Sequence, residues 1–111
     1  MIEPRPASGL LVSALIRRVE SEGGSAMVIA KGDAIAGALL LLLADRGMLI
    51  RIAERTWRFE GGYGLETVGP ADPAAAGDYI ARRRKSDPDL WVVELDHPLA
   101  ERIASDLLLS N

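Results

Sequence analysis

The sequence predicts an α+β protein, a two-layer sandwich in which helices cover one face of a mostly antiparallel sheet of four to five strands. Short apolar runs separated by turn residues are typical of antiparallel strands, and they fill the middle of the chain. Stretches with the period of amphipathic helices lie near both ends. The 111 residues, 49% hydrophobic and 26% charged, match one globular domain over residues 1–111. The predicted order is α-β-β-β-(β)-α-β-α.

The first element, Leu10 to Glu22, can be read as a helix or as a strand. In the helical interpretation an apolar stripe continues as far as Val19, and Gly23-Gly24 provides a C-terminal stop. In the strand interpretation the apolar residues alternate only as far as Ile16. The longer stripe favours the helix, and residues 1–8 before it are expected to be flexible.

Three apolar runs follow, and their lengths and Gly/Asp punctuation predict an antiparallel meander. They are SAMVIAK (Ser25 to Lys31), GALLLLLA (Gly37 to Ala44) and MLIRIAE (Met48 to Glu54). The leucine run shows no alternation, so we expect it to be covered on both faces or to lie at a subunit interface. A helix stays open there, because leucine favours helices. TWRFE (Thr56 to Glu60) is a candidate fourth short strand.

The second half of the chain predicts a loop, a helix, a strand and a final helix. Glu60 to Pro70 (EGGYGLETVGP) is interpreted as the loop. An Asp-Pro pair then provides a cap for a helix over Pro73 to Lys85, which must stop before Pro88. Leu90 to Leu95 (LWVVEL) is a strongly apolar strand. An amphipathic C-terminal helix is predicted over residues 97–109.

The residue types needed for catalysis are scarce. The absence of cysteine excludes disulfides, thiol nucleophiles and thiolate metal sites. The one histidine, His97, is not accompanied by a G-x-S-x-G turn. The glycines of Gly61 to Gly64 lack the residues that complete a P-loop or a dinucleotide site. Asp87-Pro88-Asp89 could hold a hard cation, but acidic proline turns are common for local reasons. We therefore predict no metal and no cofactor.

Carboxylates leave one catalytic alternative. Asp33, Glu60 and Glu66 could each act as a general base if buried, and nothing in the sequence selects one of them. A carboxylate-based enzyme acting near Asp87–Asp89 or Gly61–Gly64 is thus kept as an alternative. We assign no catalytic residue.

The basic run Arg82 to Lys85 could bind a polyanion or end a helix. Cations are favourable in the last turn of a helix, and four acidic residues follow by Asp96, so residues 81–96 are neutral in total. Arg83 or Arg84 is expected to lay its aliphatic stem on the sheet. The net charge of −3 also argues against a dedicated nucleic-acid binder. Nucleic-acid or phosphate binding is kept as an alternative, with these candidate ligand-binding residues: Arg17, Arg18, Trp57, Arg82, Arg83 and Arg84.

Three blocks of sequence resemble a known family. They are VSALIRR (Val12 to Arg18), KGDAIAG (Lys31 to Gly37) and RRRKSDPDLWVVEL (Arg82 to Leu95). Together they are similar to short alphaproteobacterial proteins of domain-of-unknown-function family 1491, over about residues 10–96. The segment after Asp96 is expected to be peculiar to this chain. The resemblance implies an intracellular bacterial protein and transfers no activity, ligand or catalytic residue.

The preferred interpretation is a small non-catalytic cytoplasmic protein that binds a protein partner or itself. MIEPRP lacks the features of a signal peptide, and the apolar stretch Ala34 to Ala44 is too short to span a membrane. The leucine run and the apolar end of the last helix provide apolar surface to spare. A homodimer is therefore expected.

Overall fold

The computed structural model describes residues 6–58 and 61–109, which form three helices and five strands in the predicted order. The helices are α1 (Ser8–Ser21), α2 (Pro73–Ser86) and α3 (Ala100–Leu108). The strands are β1 (Ser25–Ala30), β2 (Leu39–Asp45), β3 (Met48–Arg58), β4 (Gly62–Thr67) and β5 (Trp91–Asp96). The predicted flexibility of residues 1–8 stays a prediction, since residues 1–5 lie outside the described chain and Ser8 already begins α1.

The five strands form one mixed sheet in the order β1-β5-β2-β3-β4. Only β2 and β5 run parallel; the other three pairs are antiparallel. This confirms the α+β class and the mostly antiparallel sheet. The last strand in sequence thus lies between the first two, and the parallel pair occupies the middle of the sheet.

The leucine run is the centre of the sheet and is covered on both faces by the chain itself. Leu39, Leu41 and Leu43 contact the core formed with α1 and α3. Leu40 and Leu42 contact a second core that includes Ala76 of α2. The prediction that the helices share one face is therefore wrong for α2. A central strand that is apolar on both sides needs a helix on each side to exclude water.

The apolar stripe of α1 and the cap of α2 are those that the sequence predicts. α1 buries Val12, Leu15 and Val19, and it ends before Gly23, whose φ of +89° suits glycine. In α2 the Asp72 carboxylate accepts a hydrogen bond from the Ala75 N–H at 3.1 Å and caps the helix. The interpretation of the first element as a helix is confirmed.

The region from Thr56 to Pro70 differs from its prediction. The described part of TWRFE continues β3 as far as Arg58, and Gly62–Thr67, predicted as a loop, is strand β4. Gly62 adopts a φ of +83°, and the Trp57 and Tyr63 rings pair across the two strands at 5.2 Å between centroids. The glycines thus serve a hairpin, and cross-strand aromatic packing holds it. Phe59 and Glu60 lie outside the described residues.

Candidate functional site

One edge of the sheet is formed by β1, whose outer side pairs with no strand of the described chain. Three consecutive large apolar residues of β1 are exposed: Met27 by 55%, Val28 by 38% and Ile29 by 48%. No charged residue lies between Ser25 and Ala30. Unpaired backbone N–H and C=O groups beside apolar side chains make such an edge a template for another strand.

The opposite edge, β4, is built differently. Its exposed residues are Glu66 and Thr67, and none of its larger apolar side chains is fully exposed. Charge and polarity on an edge discourage strand pairing. The two edges are therefore not equivalent, and β1 is the one suited to contact another polypeptide.

A second candidate site is a cleft of about 440 Å³ at the carboxyl ends of the parallel strands β2 and β5. Asp45 and Asp96 end these strands, and the turn residues Arg46 and Gly47 complete the wall. The Asp96 carboxylate accepts hydrogen bonds from the Arg46 N–H (2.9 Å) and the Gly47 N–H (2.8 Å), so both its oxygens hold the β2–β3 turn. Asp96 therefore has a structural role.

His97 borders the same cleft, and both of its ring nitrogens are used. Nδ1 accepts a hydrogen bond from the Leu99 N–H at 2.9 Å, which assigns the proton to Nε2. Nε2 lies 2.9 Å from the carbonyl oxygen of Glu22 and donates to it. The imidazole thus ties the end of α1 to the start of α3 and has no nitrogen available as a general base.

Arg83 and Arg84 bind parts of their own chain. Arg83 makes a two-pronged contact with Glu54 of β3, at 2.8 and 3.0 Å, and also donates to the Tyr79 hydroxyl at 2.8 Å. Arg84 donates to the carbonyl oxygens of Pro88 and Leu90, both at 2.7 Å. The hydrogen bonds to Glu54 raise the pKa of Arg83 above its ordinary value. Both guanidinium groups are therefore engaged by partners within their own chain.

The remaining predicted ligand residues are dispersed. Arg17 and Arg18 lie on α1, on one face of the sheet, and Arg18 is paired with Glu22. Arg82 is exposed on α2, which covers the other face. Trp57 is 65% exposed near the end of β3. The structure thus does not bring the six predicted residues together, and their role in ligand binding stays a prediction.

The carboxylates singled out in the sequence do not converge either. Asp33 accepts from the Ile35 and Ala36 N–H groups, and Asp87 accepts from the Asp89 N–H, so both hold their own turns. Glu66 is exposed on β4, and Glu60 lies outside the described residues. In the part of the chain that the structure describes, no group of three His, Asp or Glu residues could hold a metal ion.

Sequence reasoning missed both the β1 edge and the cleft that Asp45 and Asp96 border. The sequence of a strand does not reveal whether that strand lies at an edge of the sheet. The place of β1 at an edge depends on β5, which is distant in sequence and inserts between β1 and β2. One signal was present: the runs LLLLLAD and WVVELD both end in aspartate. Neighbouring parallel strands bring such ends together.

Comparison with known proteins decides the family. The sequence profile of the family described as "Protein of unknown function (DUF1491)" matches residues 7–105. This chain belongs to the DUF1491 family. The match passes Asp96 and includes most of α3, so the expectation that this segment is peculiar to the chain is wrong as far as residue 105.

Solved structures of DUF1491 proteins share the fold. A crystal structure of a family member from Caulobacter crescentus is 33% identical, with a TM-score of 0.77 over 87% of this chain and 92% of that one. An NMR structure of a family member from the same bacterium is 35% identical, with a TM-score of 0.65 over 83% and 86%. The solution structure of protein Atu0922 from A. tumefaciens is 31% identical, with a TM-score of 0.61 over 84% and 86%.

These DUF1491 relatives come without a stated activity. No curated protein matches the chain. Among the residues that the structure describes, none of the helices has the length and apolar character required to cross a membrane.

Proposed function

We propose that this DUF1491 protein is a non-catalytic cytoplasmic interaction module that binds an extended segment of polypeptide along the outer edge of β1. The observation that carries the proposal is the run of three exposed apolar residues, Met27 to Ile29, on an edge strand without charge. Backbone hydrogen bonds would supply affinity, and side chains on alternate faces would supply selectivity.

The construction of β1 supports a fixed docking surface. Its inner side is held by β5 from Ser25 opposite Asp96 to Ala30 opposite Val92. Ala26 packs on the core below α1, and Ala30 packs on the core of the other face. A rigid edge loses little conformational entropy when a partner strand is added.

The carboxylate-enzyme alternative has less support. Both oxygens of Asp96 are engaged by the β2–β3 turn, and both nitrogens of His97 are engaged by backbone groups. A general acid or base must be able to reach a substrate proton. Asp45 is the one carboxylate in this cleft with a buried oxygen that finds no hydrogen-bond partner in the described chain.

Site-specific photo-crosslinking tests the proposal. A diazirine analogue of methionine placed at position 27 is expected to attach to one extended segment of a polypeptide in native cells. The same analogue at Met48 is the matched control, because Met48 is also an exposed methionine, at 70%, but lies beside the β2–β3 turn.

A charge on the edge should abolish the adduct. Ile29→Lys is expected to remove crosslinking from position 27, because a lysine on an edge strand opposes strand addition. Met48→Lys should leave it unchanged. Adducts from position 27 that are no more abundant than from position 48, or that survive Ile29→Lys, would show that β1 is not the binding surface.

A further inference from the structure

We infer that the segment bound by β1 is β1 of a second copy of this chain, paired antiparallel about a two-fold axis beside Met27. The inference rests on the proposed function and names its partner. The two five-stranded sheets would then join edge to edge into one continuous sheet. A closed two-fold pairing of this kind uses the same surface on both copies and removes the exposed β1 edges.

The two faces of β1 select this register. Residues opposite one another in an antiparallel pair must lie on the same face of the sheet. With Met27 opposite its own copy, Ala26 of one copy lies opposite Val28 of the other. On β5, Ala26 pairs with Leu95 and Val28 pairs with Val93, and both of these partners belong to the core formed with α1 and α3. Apolar residues then meet apolar residues on that face.

The register centred on Val28 fails on the same test. The ladder with β5 shifts between Val28 and Ala30, which makes Ile29 a bulged residue. A register centred on Val28 would place Ala26 opposite Ala30, and these two residues pack on opposite faces of the sheet. A slip of one residue would reverse every side chain. The bulge therefore limits the pairing to the stretch from Ser25 to Ile29.

No charge opposes the pairing in this register. The paired stretch from Ser25 to Ile29 carries no charged side chain. The nearest charged residues, Glu22 and Lys31, lie outside this stretch, and Glu22 is already paired with Arg18 of its own chain. No like charges are opposed across the strand pair, which favours this partner over an arbitrary one.

The absence of cysteine allows the register to be read by disulfide formation. Residues directly opposite in antiparallel strands have Cα atoms about 4.5 to 5.5 Å apart, which a disulfide can bridge, whereas diagonal neighbours at about 7 to 8 Å are too far. Met27→Cys is therefore expected to form a covalent dimer by itself. Ser25→Cys and Ile29→Cys are expected to crosslink when mixed, and Ser25→Cys alone is not.

The rate of disulfide formation distinguishes a dimer contact from random collision between monomers. An effective concentration on the order of 1 mM, against a protein concentration of about 10 μM, gives about a hundredfold faster disulfide formation for Met27→Cys than for Met48→Cys. Light scattering should give twice the chain mass for the unmodified protein and the single mass for Ile29→Lys. All substituted residues are exposed, so circular dichroism spectra should be unchanged.

The outcomes separate this inference from the function on which it rests. A monomeric unmodified protein, or equal crosslinking rates at positions 27 and 48, would overturn the homodimer. If position 27 then photo-crosslinks to another protein in cells, the interaction module stands with a different partner. If position 27 crosslinks to nothing, both proposals fall.

Discussion

Arg82 and Arg83 are adjacent in α2 but have different surroundings. Arg83 binds Glu54 and Tyr79, and its side chain is 28% exposed beside a glutamate that is 18% exposed. Arg82 is exposed to solvent. Partly buried ion pairs with two-pronged geometry contribute to stability, whereas single exposed charges contribute little.

We predict that Arg83→Ala lowers the free energy of unfolding by about 1 to 3 kcal/mol, because Glu54 is left partly buried without its partner. Arg82→Ala should change it by less than about 0.5 kcal/mol. Urea denaturation monitored by tryptophan fluorescence measures both. Equal effects of the two substitutions would contradict the structural role assigned to Arg83.

The sequence indicated where this basic run lies but not what it binds. Its position at the end of α2 follows from the helix pattern and the downstream proline. The contact with Glu54 spans 29 residues and two elements, and no local spacing rule relates positions so far apart. The expectation that an arginine stem lies on the sheet did not include the acid that holds its guanidinium group.

At the scale of the elements, two glycines should respond oppositely to substitution. A Cβ on Gly77, an exposed residue within α2, would meet no atom within 4 Å. A Cβ on Gly37 would lie 2.3 Å from the carbonyl oxygen of Asp89. The first glycine weakens its helix, and the second permits the chain before β2 to approach the chain before β5.

Gly77→Ala is expected to stabilise the protein by about 0.5 to 1 kcal/mol, because alanine loses less backbone entropy in a helix. Gly37→Ala should destabilise it, since backbone must shift to relieve the overlap. Thermal unfolding followed by circular dichroism at 222 nm tests both signs. A lower melting temperature for Gly77→Ala would show that the backbone entropy of Gly77 does not limit the stability of α2.

Element types were predictable where a period or a cap was present. α1, α2 and β5 follow from apolar stripes, the Asp72 cap and an apolar run. β4 was missed because its glycines have the composition of a loop, and only pairing with β3 makes it a strand. The placement of α2 was missed because a leucine run without a period shows that β2 is covered, but not by which helices.

At the scale of the whole molecule, the two groups of arginines lie on opposite faces of the sheet. α1 carries Arg17 and Arg18 on one face, and α2 carries Arg82 to Arg84 on the other. With a net charge of −3, neither group is reinforced by the overall field. A continuous backbone of phosphates could not contact both groups at once without wrapping around the sheet.

We therefore expect no saturable binding of a fluorescently labelled single-stranded oligonucleotide with a Kd tighter than about 10⁻⁴ M at physiological salt. This value is the weak limit of ordinary non-specific binding to nucleic acid. Fluorescence anisotropy measures this directly. Tighter binding that weakens steeply with salt and is lost in the triple variant Arg82→Glu, Arg83→Glu, Arg84→Glu would restore the polyanion interpretation. A variant with Arg17→Glu and Arg18→Glu is the matched comparison for the other face.

The insertion of β5 between β1 and β2 has a consequence for synthesis on the ribosome. β1 and β2 emerge early, but the strand that joins them comes from the last quarter of the chain. A nascent chain that ends before Leu90 has no neighbour for Leu39 to Leu43 on that side and leaves this edge of β2 unpaired. Because such long-range pairing must wait for the final residues, the sheet can close only near release, and until then the unpaired edge of β2 is exposed to pairing with other chains.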